Sequence, residues 1–480
     1  MPRSVATILF ALFILWLFKL DRDQESRVSP ALWIPVLWFS IGGSRMISLW
    51  FGGIGGTTPS SVSAQLEEGS LVDRLIFTGL LLAGLSVLAT RGRQTVRVLH
   101  TNWIILLFFL YGAVSVLWSD YSFVAFKRWN KAVGNIVMVF LILTEADSAA
   151  AIKRLLAQTS FLLIPTSILL IKYYLEYGRS YDPYTGIPTY VGVNTSKNGL
   201  AMISLIFGIG ALWRVLRALE TTDRYYKKRQ LIVHGSILGM ALWLLYMTSS
   251  AAAIGCALIG SGLIWLTGLR RHAIKLQTLH IVVVGILCIC VYGIIIDTNV
   301  GLVQAVGRDA NLTDRTSLWA DLIKVDINPW LGAGFESFWL GSRIEELGEK
   351  YWWQPNQAHN GYLELYLNLG WIGIVLQSLI IFWGYRNISR SLRQGEELAR
   401  LKLTLFVVAL IFNLTEATFK VASPMWIVFL LAISIVPMRE YYERRHENSK
   451  DALLVRNSGP IVPDGVKSLQ PQGKAKAFHG

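Results

Sequence analysis

Long apolar runs recur along most of this chain, and they limit its possible folds more than any other feature. Several reach the roughly 17–25 residues that a helix needs to cross a lipid bilayer. A backbone in lipid has no water to bond to, so it must satisfy its own hydrogen bonds, as a helix does. Hydrophobic residues are 53% of the sequence and charged residues 16%. The chain is therefore predicted to be an all-α polytopic membrane protein with about 12–13 transmembrane helices.

The apolar runs divide the chain into a membrane domain, residues 1–440, and a polar tail, residues 441–480. The tail is charged and then rich in Pro, Gly, Ser and Lys, which predicts a flexible extension. The predicted spans lie near residues 4–20, 31–53, 71–90, 101–118, 124–143, 155–175, 197–217, 231–248, 250–268, 279–297, 361–383, 400–419 and 422–437.

Basic residues cluster in alternate loops between these runs, and the positive-inside rule makes that side cytoplasmic. The clusters are Lys19/Arg22/Arg27, Arg91/Arg93/Arg97, Lys153/Arg154, the Arg214–Arg229 group, Arg270/Arg271/Lys275, the Arg386–Lys402 group and Arg439/Arg444/Arg445. The tail is then cytoplasmic and the loops between the clusters face outward. Thirteen spans would place the amino terminus outside, whereas twelve would place it inside.

The longest outward segment, residues 298–360, has no span of its own. A connection of this length is usually either functional or disordered. Its aromatic residues argue against disorder because they can form a packed core. These residues are Trp319, Trp330, Phe335, Phe338, Trp339, Trp352 and Trp353. We therefore expect a structured periplasmic cap over a site in the membrane.

Several function classes are disfavoured by composition and motifs. A formal net charge of +14 is compatible with a nucleic-acid partner, but most of the basic residues lie in short loops beside apolar runs, where they set membrane orientation. We find no Walker A loop, GxSxG, HExxH or cysteine-rich metal motif. A transporter usually has repeated halves and carboxylates inside its spans. Here the halves are dissimilar, and Glu416 and Asp73 are the main acidic exceptions, both near span ends.

The outward side has few cations, which makes the exceptions informative. They are Lys127, Arg128, Lys131, Lys197, Arg308, Arg315 and Lys420. Cations that converge at bilayer level suggest an anionic head group, above all a lipid diphosphate, for which Arg offers a bidentate fork and Lys a point charge. Snorkelling at the interface is the alternative, and we favour it for Lys127 and Lys420. A functional role is favoured for Arg315 and Lys197.

His359 stands at the junction of the cap and the next span, followed by Asn360 at a predicted helix start. Histidine can accept or donate a proton near neutral pH, although a purely structural histidine is the open alternative. Glu364 would share a helical face with Asn360 and could orient His359. Trp319, four residues after Arg315, could pack beside the guanidinium or stack on a sugar ring.

Five segments resemble motifs of one known family. They are Ser115 to Asp120 with Arg128 (WS-x-P…R), Gly192 to Leu200 (KN-x-[LG]), Gly307 to Trp319 (GRD…LTGR-T…W), Asn328 to Trp339 (P-x-LGxGF…FW) and His359 to Gly373 (HNGYL…LGxxG). In this order and spacing, over residues 110–375, they resemble the O-antigen ligase and polymerase superfamily of bacterial inner membranes. The nearest branch is that of exopolysaccharide polymerases. Asp314 departs from the usual Gly, and residues 248–252 lack a basic residue that many relatives carry.

The resemblance implies a lipid-dependent glycosyltransferase bundle. It would act on undecaprenyl-diphosphate-linked donor and acceptor glycans at the periplasmic face of the inner membrane, without metal, cofactor or nucleotide sugar. Arg315 and His359 would be catalytic, whereas the substrate-binding residues would be Lys197, Arg128, Arg308, Asn360, Trp319 and Glu364. The bilayer and polysaccharide export or chain-length proteins are the other expected partners. A ligase that uses lipid A core as acceptor is the alternative, and a flippase of lipid-linked sugars is a third reading.

Overall fold

The computed structural model describes residues 1–22, 28–51, 70–181, 186–268, 276–297, 312–351 and 353–436. This part is almost entirely helical. Its helices are α1 (Arg3–Leu20), α2 (Trp33–Gly42), α3 (Ile47–Trp50), α4 (Leu71–Thr90), α5 (Gly92–Thr101), α6 (Trp103–Val114), α7 (Ser122–Leu143), α8 (Ser148–Tyr173), α9 (Leu175–Gly178), α10 (Lys197–Glu220), α11 (Arg224–Thr248), α12 (Ala251–Gly268), α13 (Leu276–Asp297), α14 (Leu312–Leu322), α15 (Ser342–Lys350), α16 (Gly361–Arg393), α17 (Ala399–Thr415) and α18 (Pro424–Ile433). Short 3₁₀ turns cover Pro30–Leu32 and Ser115–Trp118, and β1 (Arg179–Tyr181) pairs antiparallel with β2 (Pro188–Tyr190).

Seven of the described helices are long and apolar enough to cross a membrane: α1, α4, α8, α10, α11, α12 and α16. An eighth span results if α5 and the helix that follows it are counted as one span bent by 83°. The predicted class of all-α polytopic membrane protein is confirmed. The count of 12–13 spans stays a prediction, because several predicted spans are shorter or broken helices.

Three predicted spans differ from the structure in length or continuity. The run near 31–53 is interrupted between α2 and α3, and the run near 422–437 contains only the 10-residue helix α18. The run near 101–118 begins at the bend, where the buried Asn102 is hydrogen-bonded across the fold. Its side chain donates to Ile435 O at 3.1 Å and accepts from Ile435 N at 3.0 Å. Hydropathy does not show such side-chain contacts, so the sequence predicted neither α5 nor the bend of 83° that follows it.

Ion pairs and hydrogen bonds show which helix ends lie together. At the amino end of α1, Arg3 pairs with Glu176 at 2.9 Å. At its carboxyl end, Asp21 pairs with Arg214 near the end of α10 at 3.2 Å. The amino end of α1 therefore lies at the same end of the bundle as the β-hairpin. We call this end of the bundle the capped end, because the cap also lies there. The opposite end is called the basic end.

The cap residues that the structure describes, 312–351 and 353–360, have a hydrophobic core of their own, as predicted. It is built from Leu318, Leu322, Ala333, Phe338, Trp339, Ile344, Leu347 and Ala358 with Leu367 of α16. Hydrogen bonds from Lys350 at 2.6 Å and Tyr351 at 2.5 Å connect α15 to Asp321 in α14 and lower the pKa of Asp321. Trp330 is an exception to the predicted core, since it is 64% exposed.

α16 is broken at Gly370, where φ is +62° and ψ is −163°. The cap segment 329–334 lies against the break and bonds to its free backbone groups. Trp371 N donates to Pro329 O at 2.9 Å, and Ala333 N donates to Leu367 O at 2.9 Å. A broken membrane helix needs such replacement partners for its peptide groups. The glycine-containing segments of the cap and of α16 thus form one interface.

Candidate active site

Glu416 lies at the centre of a cluster of polar side chains at the capped end. It directly follows the last residue of α17, and it is 9% exposed. Its Oε1 accepts a hydrogen bond from Asn198 Nδ2 at 2.6 Å and lies 3.4 Å from Arg315 Nη2. Its Oε2 lies 3.2 Å from Nδ1 of His359. One carboxylate therefore joins the start of α10, the cap and the turn before α16.

The contact with Glu416 determines which ring nitrogen of His359 carries the hydrogen. A carboxylate can only accept hydrogen bonds, so Nδ1 of the neutral imidazole carries the hydrogen and Nε2 keeps its lone pair. Gln357 Nε2 is 3.5 Å from the same Nδ1, but two N–H donors cannot bond to each other, so Glu416 is the partner of Nδ1 in this tautomer. The Gln357 side chain is itself oriented by Lys420, whose Nζ lies 2.9 Å from Gln357 Oε1. The arrangement suits His359 Nε2 to accept a proton.

The backbone at His359 is held in an uncommon conformation, with φ at +50°. The peptide groups of the buried Ala358 are bonded from both sides. Ala358 N donates to Glu364 Oε2 at 2.8 Å, and Ala358 O accepts from Trp319 Nε1 at 2.7 Å. Trp319 and Glu364 therefore position the residue that precedes His359.

Arg315 extends from α14 to the carboxyl end of α17. Its Nη1 donates to Thr415 O at 3.0 Å, where helix carbonyl groups lack partners of their own. Its side chain is 27% exposed. A guanidinium has five N–H donors, so the contacts with Thr415 and Glu416 leave others for an anionic ligand.

Lys197 is the first residue of α10 and is exposed. Ser196 caps this helix by accepting a hydrogen bond from Gly199 N at 3.1 Å. The next residue, Asn198, is the one that reaches Glu416. Lys197 thus lies one residue from the cluster, at a helix amino terminus that favours negative charge.

The model for the O-antigen ligase family matches residues 235–378 of the chain. This chain carries an O-antigen ligase domain. The match confirms the resemblance to the O-antigen ligase and polymerase superfamily, whereas the exopolysaccharide branch stays a prediction. The family and the apolar helices together make this a multi-pass membrane protein of glycan assembly. No curated protein matches the chain.

The O-antigen ligase domain contributes Arg315, Trp319, His359, Asn360 and Glu364, which all lie within the matched residues. Lys197 and Asn198 precede it, and Glu416 follows it. The cluster is therefore completed by helices from both sides of the domain, which come together only in the folded bundle.

Two predicted site residues make structural contacts outside the Glu416 cluster. Arg128 in α7 donates to the carbonyl oxygen of Glu336 in the cap. Asn360 caps α16, because its Oδ1 accepts from Tyr362 N at 3.0 Å and from Leu363 N at 3.2 Å. Arg308 lies outside the described residues.

A cavity adjoins the cluster. It opens between the cap, α6, α7, α16 and the turn after α17, and Gly361 and Ala417 form part of its wall beside His359 and Glu416. The rest of its wall combines the polar Glu336, Glu364, Asn368 and Lys420, the aromatic Phe108, Phe109, Phe335, Phe419 and Trp426, and the aliphatic Ala132, Leu365, Leu369 and Val421. Such walls can combine hydrogen bonds with ring stacking.

Glu416 and Asn198 are the cluster members that sequence reasoning did not assign to the site. Glu416 was visible as one of few acidic residues near a span, but no sequence spacing connects it with His359. Among the described residues, no group of three or more His, Cys, Asp or Glu side chains is arranged to hold a metal ion.

Proposed function

We propose that the protein transfers a growing glycan from an undecaprenyl diphosphate to a hydroxyl group of the next lipid-linked repeat unit. This makes it a glycan polymerase of the inner membrane with its site on the periplasmic side. The observation that carries the proposal is the contact of His359 and Arg315 with one carboxylate, Glu416, in a chain with an O-antigen ligase domain.

The chemistry follows from the groups in this cluster. His359 Nε2 takes the proton of the acceptor hydroxyl while its oxygen bonds to the anomeric carbon of the donor sugar. The bond from that carbon to the diphosphate oxygen breaks, and the electron pair leaves with the diphosphate. Glu416 keeps His359 in the productive tautomer, as the carboxylate does in a catalytic triad. The spare donors of Arg315 and the Lys197 ammonium stabilise the charge on the leaving diphosphate.

The cavity beside the cluster is the proposed place for the acceptor sugar. Carboxylate and amide groups such as Glu336 and Asn368 can bond to hydroxyls, and Phe419 and Trp426 offer faces for stacking. In this proposal Arg128 and Arg308 assist at the diphosphates, and Asn360, Trp319 and Glu364 keep His359 in position.

A ligase remains the second candidate, because the matching family is described as an O-antigen ligase. The two functions share the donor and differ in the acceptor. A strain lacking the gene separates them by glycan chain length. Loss of polymer with single repeats remaining supports the polymerase, whereas unattached full-length polymer supports the ligase. Lipid-linked repeats trapped in the cytoplasm would indicate a flippase and contradict both.

The reaction itself is tested with purified full-length protein and lipid-linked repeat units, read out as a ladder of glycan lengths. General-base catalysis accelerates a reaction by about 10²–10⁴-fold, so the His359→Ala variant should form almost no polymer. His359→Gln should be equally inactive, because an amide can bond to the hydroxyl but cannot take its proton.

Substantial polymer from the Gln variant would refute the base and leave His359 a positioning role. A parallel reaction with chelator tests metal independence, since polymer that disappears on chelation and returns with a divalent ion would contradict that part of the proposal. His280→Gln, on α13 near Tyr385 and away from the cluster, is the matched control and should retain activity.

A further inference from the structure

A second cavity lies at the basic end of the bundle, far from His359. It is bounded by α8, α10, α11 and α17. Arg214 in its wall is on the same helix as Lys197. At 1.5 Å per residue, their separation along α10 is about 25 Å. The cavity is therefore distinct from the proposed catalytic site.

The nitrogen groups in the wall of this cavity are mostly hydrogen-bond donors. They belong to Lys153, Trp213, Arg214 and His234. Ammonium, guanidinium and indole N–H groups can donate but cannot accept. Ser160 has the one side-chain oxygen in the wall, and its hydroxyl hydrogen is bonded to Ala157 O at 2.7 Å. Such a set of donors favours a ligand that mainly accepts hydrogen bonds.

Trp213 gives an independent indication of a ligand. Its side chain is 2% exposed, yet its Nε1 has no hydrogen-bond partner among the described residues. A buried donor without an acceptor destabilises the fold, because it loses its hydrogen bond to water without replacement. A bound acceptor in the cavity would remove this cost.

The carboxylates that neutralise the basic residues stand outside the cavity wall. Asp21 lies 3.2 Å from Arg214 Nη2 and 3.2 Å from His234 Nε2. Glu397 lies 3.0 Å from Lys153 Nζ. These pairs hold the cations at the rim without placing an acidic group in the cavity. An ammonium has three N–H donors and a guanidinium five, so Lys153 and Arg214 have further donors for an anion beside these pairs.

We propose that this cavity binds a phosphate group through Lys153, Arg214 and the indole N–H of Trp213. The phosphate could belong to a phospholipid of the leaflet at the basic end or be free in solution. Either source presents acceptor oxygens to the same donors. Bound phosphate would connect α8 with α10 and stabilise the bundle at the end opposite to the cap.

The test measures the thermal midpoint of the purified full-length protein with two probes. The first is inorganic phosphate, and the second is phosphatidylglycerol in micelles, compared with a phosphate-free galactolipid. Lys153→Gln and Trp213→Phe remove one donor each and largely keep the volume. Arg224→Gln is the control, since Arg224 is exposed at the start of α11 and is not in the wall.

We expect the probe to stabilise the wild type and Arg224→Gln alike, and to need at least tenfold higher concentrations in the two cavity variants. A response to inorganic phosphate identifies a free-phosphate site, and a response to phosphatidylglycerol alone identifies a lipid head group. A general salt effect stabilises all four proteins equally. That result, or no stabilisation by either probe, would overturn the proposal.

Discussion

At the scale of single residues, His359 shows the clearest sign of function. Its φ of +50° lies in the left-handed region, which costs a non-glycine residue of order 1–3 kcal/mol. The surrounding contacts maintain this conformation: Glu364 and Trp319 hold the peptide groups of Ala358, and Asn360 starts α16. Strained backbone at a titratable residue is typical of active sites. Because Nδ1 of His359 faces Glu416, the other ring nitrogen, Nε2, is directed away from that carboxylate.

Glu416→Gln tests the carboxylate at the centre of the cluster. The amide keeps the size of the side chain but loses the charge that stabilises His359 when it takes a proton. We expect glycan transfer to fall by roughly 10²-fold or more, by analogy with the loss of the orienting carboxylate in a triad. The rate is measured on the purified variant, with Glu346→Gln in the exposed part of the cap as control. Equal activity of the two variants would remove Glu416 from the mechanism.

Arg315→Lys tests whether the fork of the guanidinium is needed. Arg315 uses two different nitrogens, Nη1 for Thr415 O and Nη2 for Glu416. An ammonium cannot make both contacts while it binds phosphate oxygens. We expect Arg315→Lys to lose nearly as much polymer as Arg315→Ala. The amount of polymer is compared at equal protein level, with Lys324→Gln as the control in the cap. Normal polymer from the Lys variant would show that positive charge alone is sufficient.

At the scale of secondary-structure elements, the break in α16 is what allows the cap to reach the membrane domain. An uninterrupted helix would have no free peptide groups at residues 367–372 for the cap segment to bond. Tyr111 of α6 also donates to Leu369 O at 3.1 Å. The first part of α16 carries Glu364, so the same contacts determine where Ala358 and His359 lie.

Gly370→Ala tests this interface. At φ +62° a side chain is strained by roughly 1–3 kcal/mol. Its Cβ would also lie 2.3 Å from the backbone of Trp330, which cannot move without loss of the cap contacts. We expect a lower thermal midpoint and reduced glycan transfer. Gly239→Ala, on α11 with no atom within 4 Å of the added Cβ, is the control and should be unchanged or slightly more stable. Similar midpoints for both variants would contradict the role of the break.

At the scale of the whole molecule, the two ends of the bundle carry different chemistry. The capped end holds the Glu416 cluster and the larger cavity. The basic end holds paired cations such as Arg91 with Glu145, and Lys153 with Glu397 at 3.0 Å. This separation fits a protein whose orientation is set by basic loops on one side. The periplasmic location of the capped end follows from that rule and stays a prediction.

Cysteine labelling tests the orientation in intact spheroplasts. With the native cysteines replaced by alanine, a cysteine at the exposed Ser342 of the cap should react with a membrane-impermeant thiol reagent. A cysteine at the exposed Gln394, after α16 at the basic end, should react only after the membrane is permeabilised. The two positions belong to the same protein, and the prediction is that they face opposite sides of the membrane. The reverse pattern would place the candidate site in the cytoplasm and exclude the proposed function.

Much of the fold could be predicted from local sequence. Apolar length determines which segments become membrane helices, and an Asn before an apolar run starts a helix, as Asn360 does for α16. The aromatic residues of the cap predicted a packed core, because they can bury enough surface to order a long connection. His359 and Arg315 were predicted by motif resemblance, and the structure brings both to one carboxylate.

Only the tertiary structure decided which residues meet. Asn198, Arg315, His359 and Glu416 come from four distant segments, and no periodicity in the sequence connects them. The break at Gly370 was equally hidden, because the hydrogen bonds that replace those of the helix come from a cap segment about 40 residues earlier. Local patterns determine where helices form through burial and capping. The site depends on contacts between helices, which exist only after the bundle has packed.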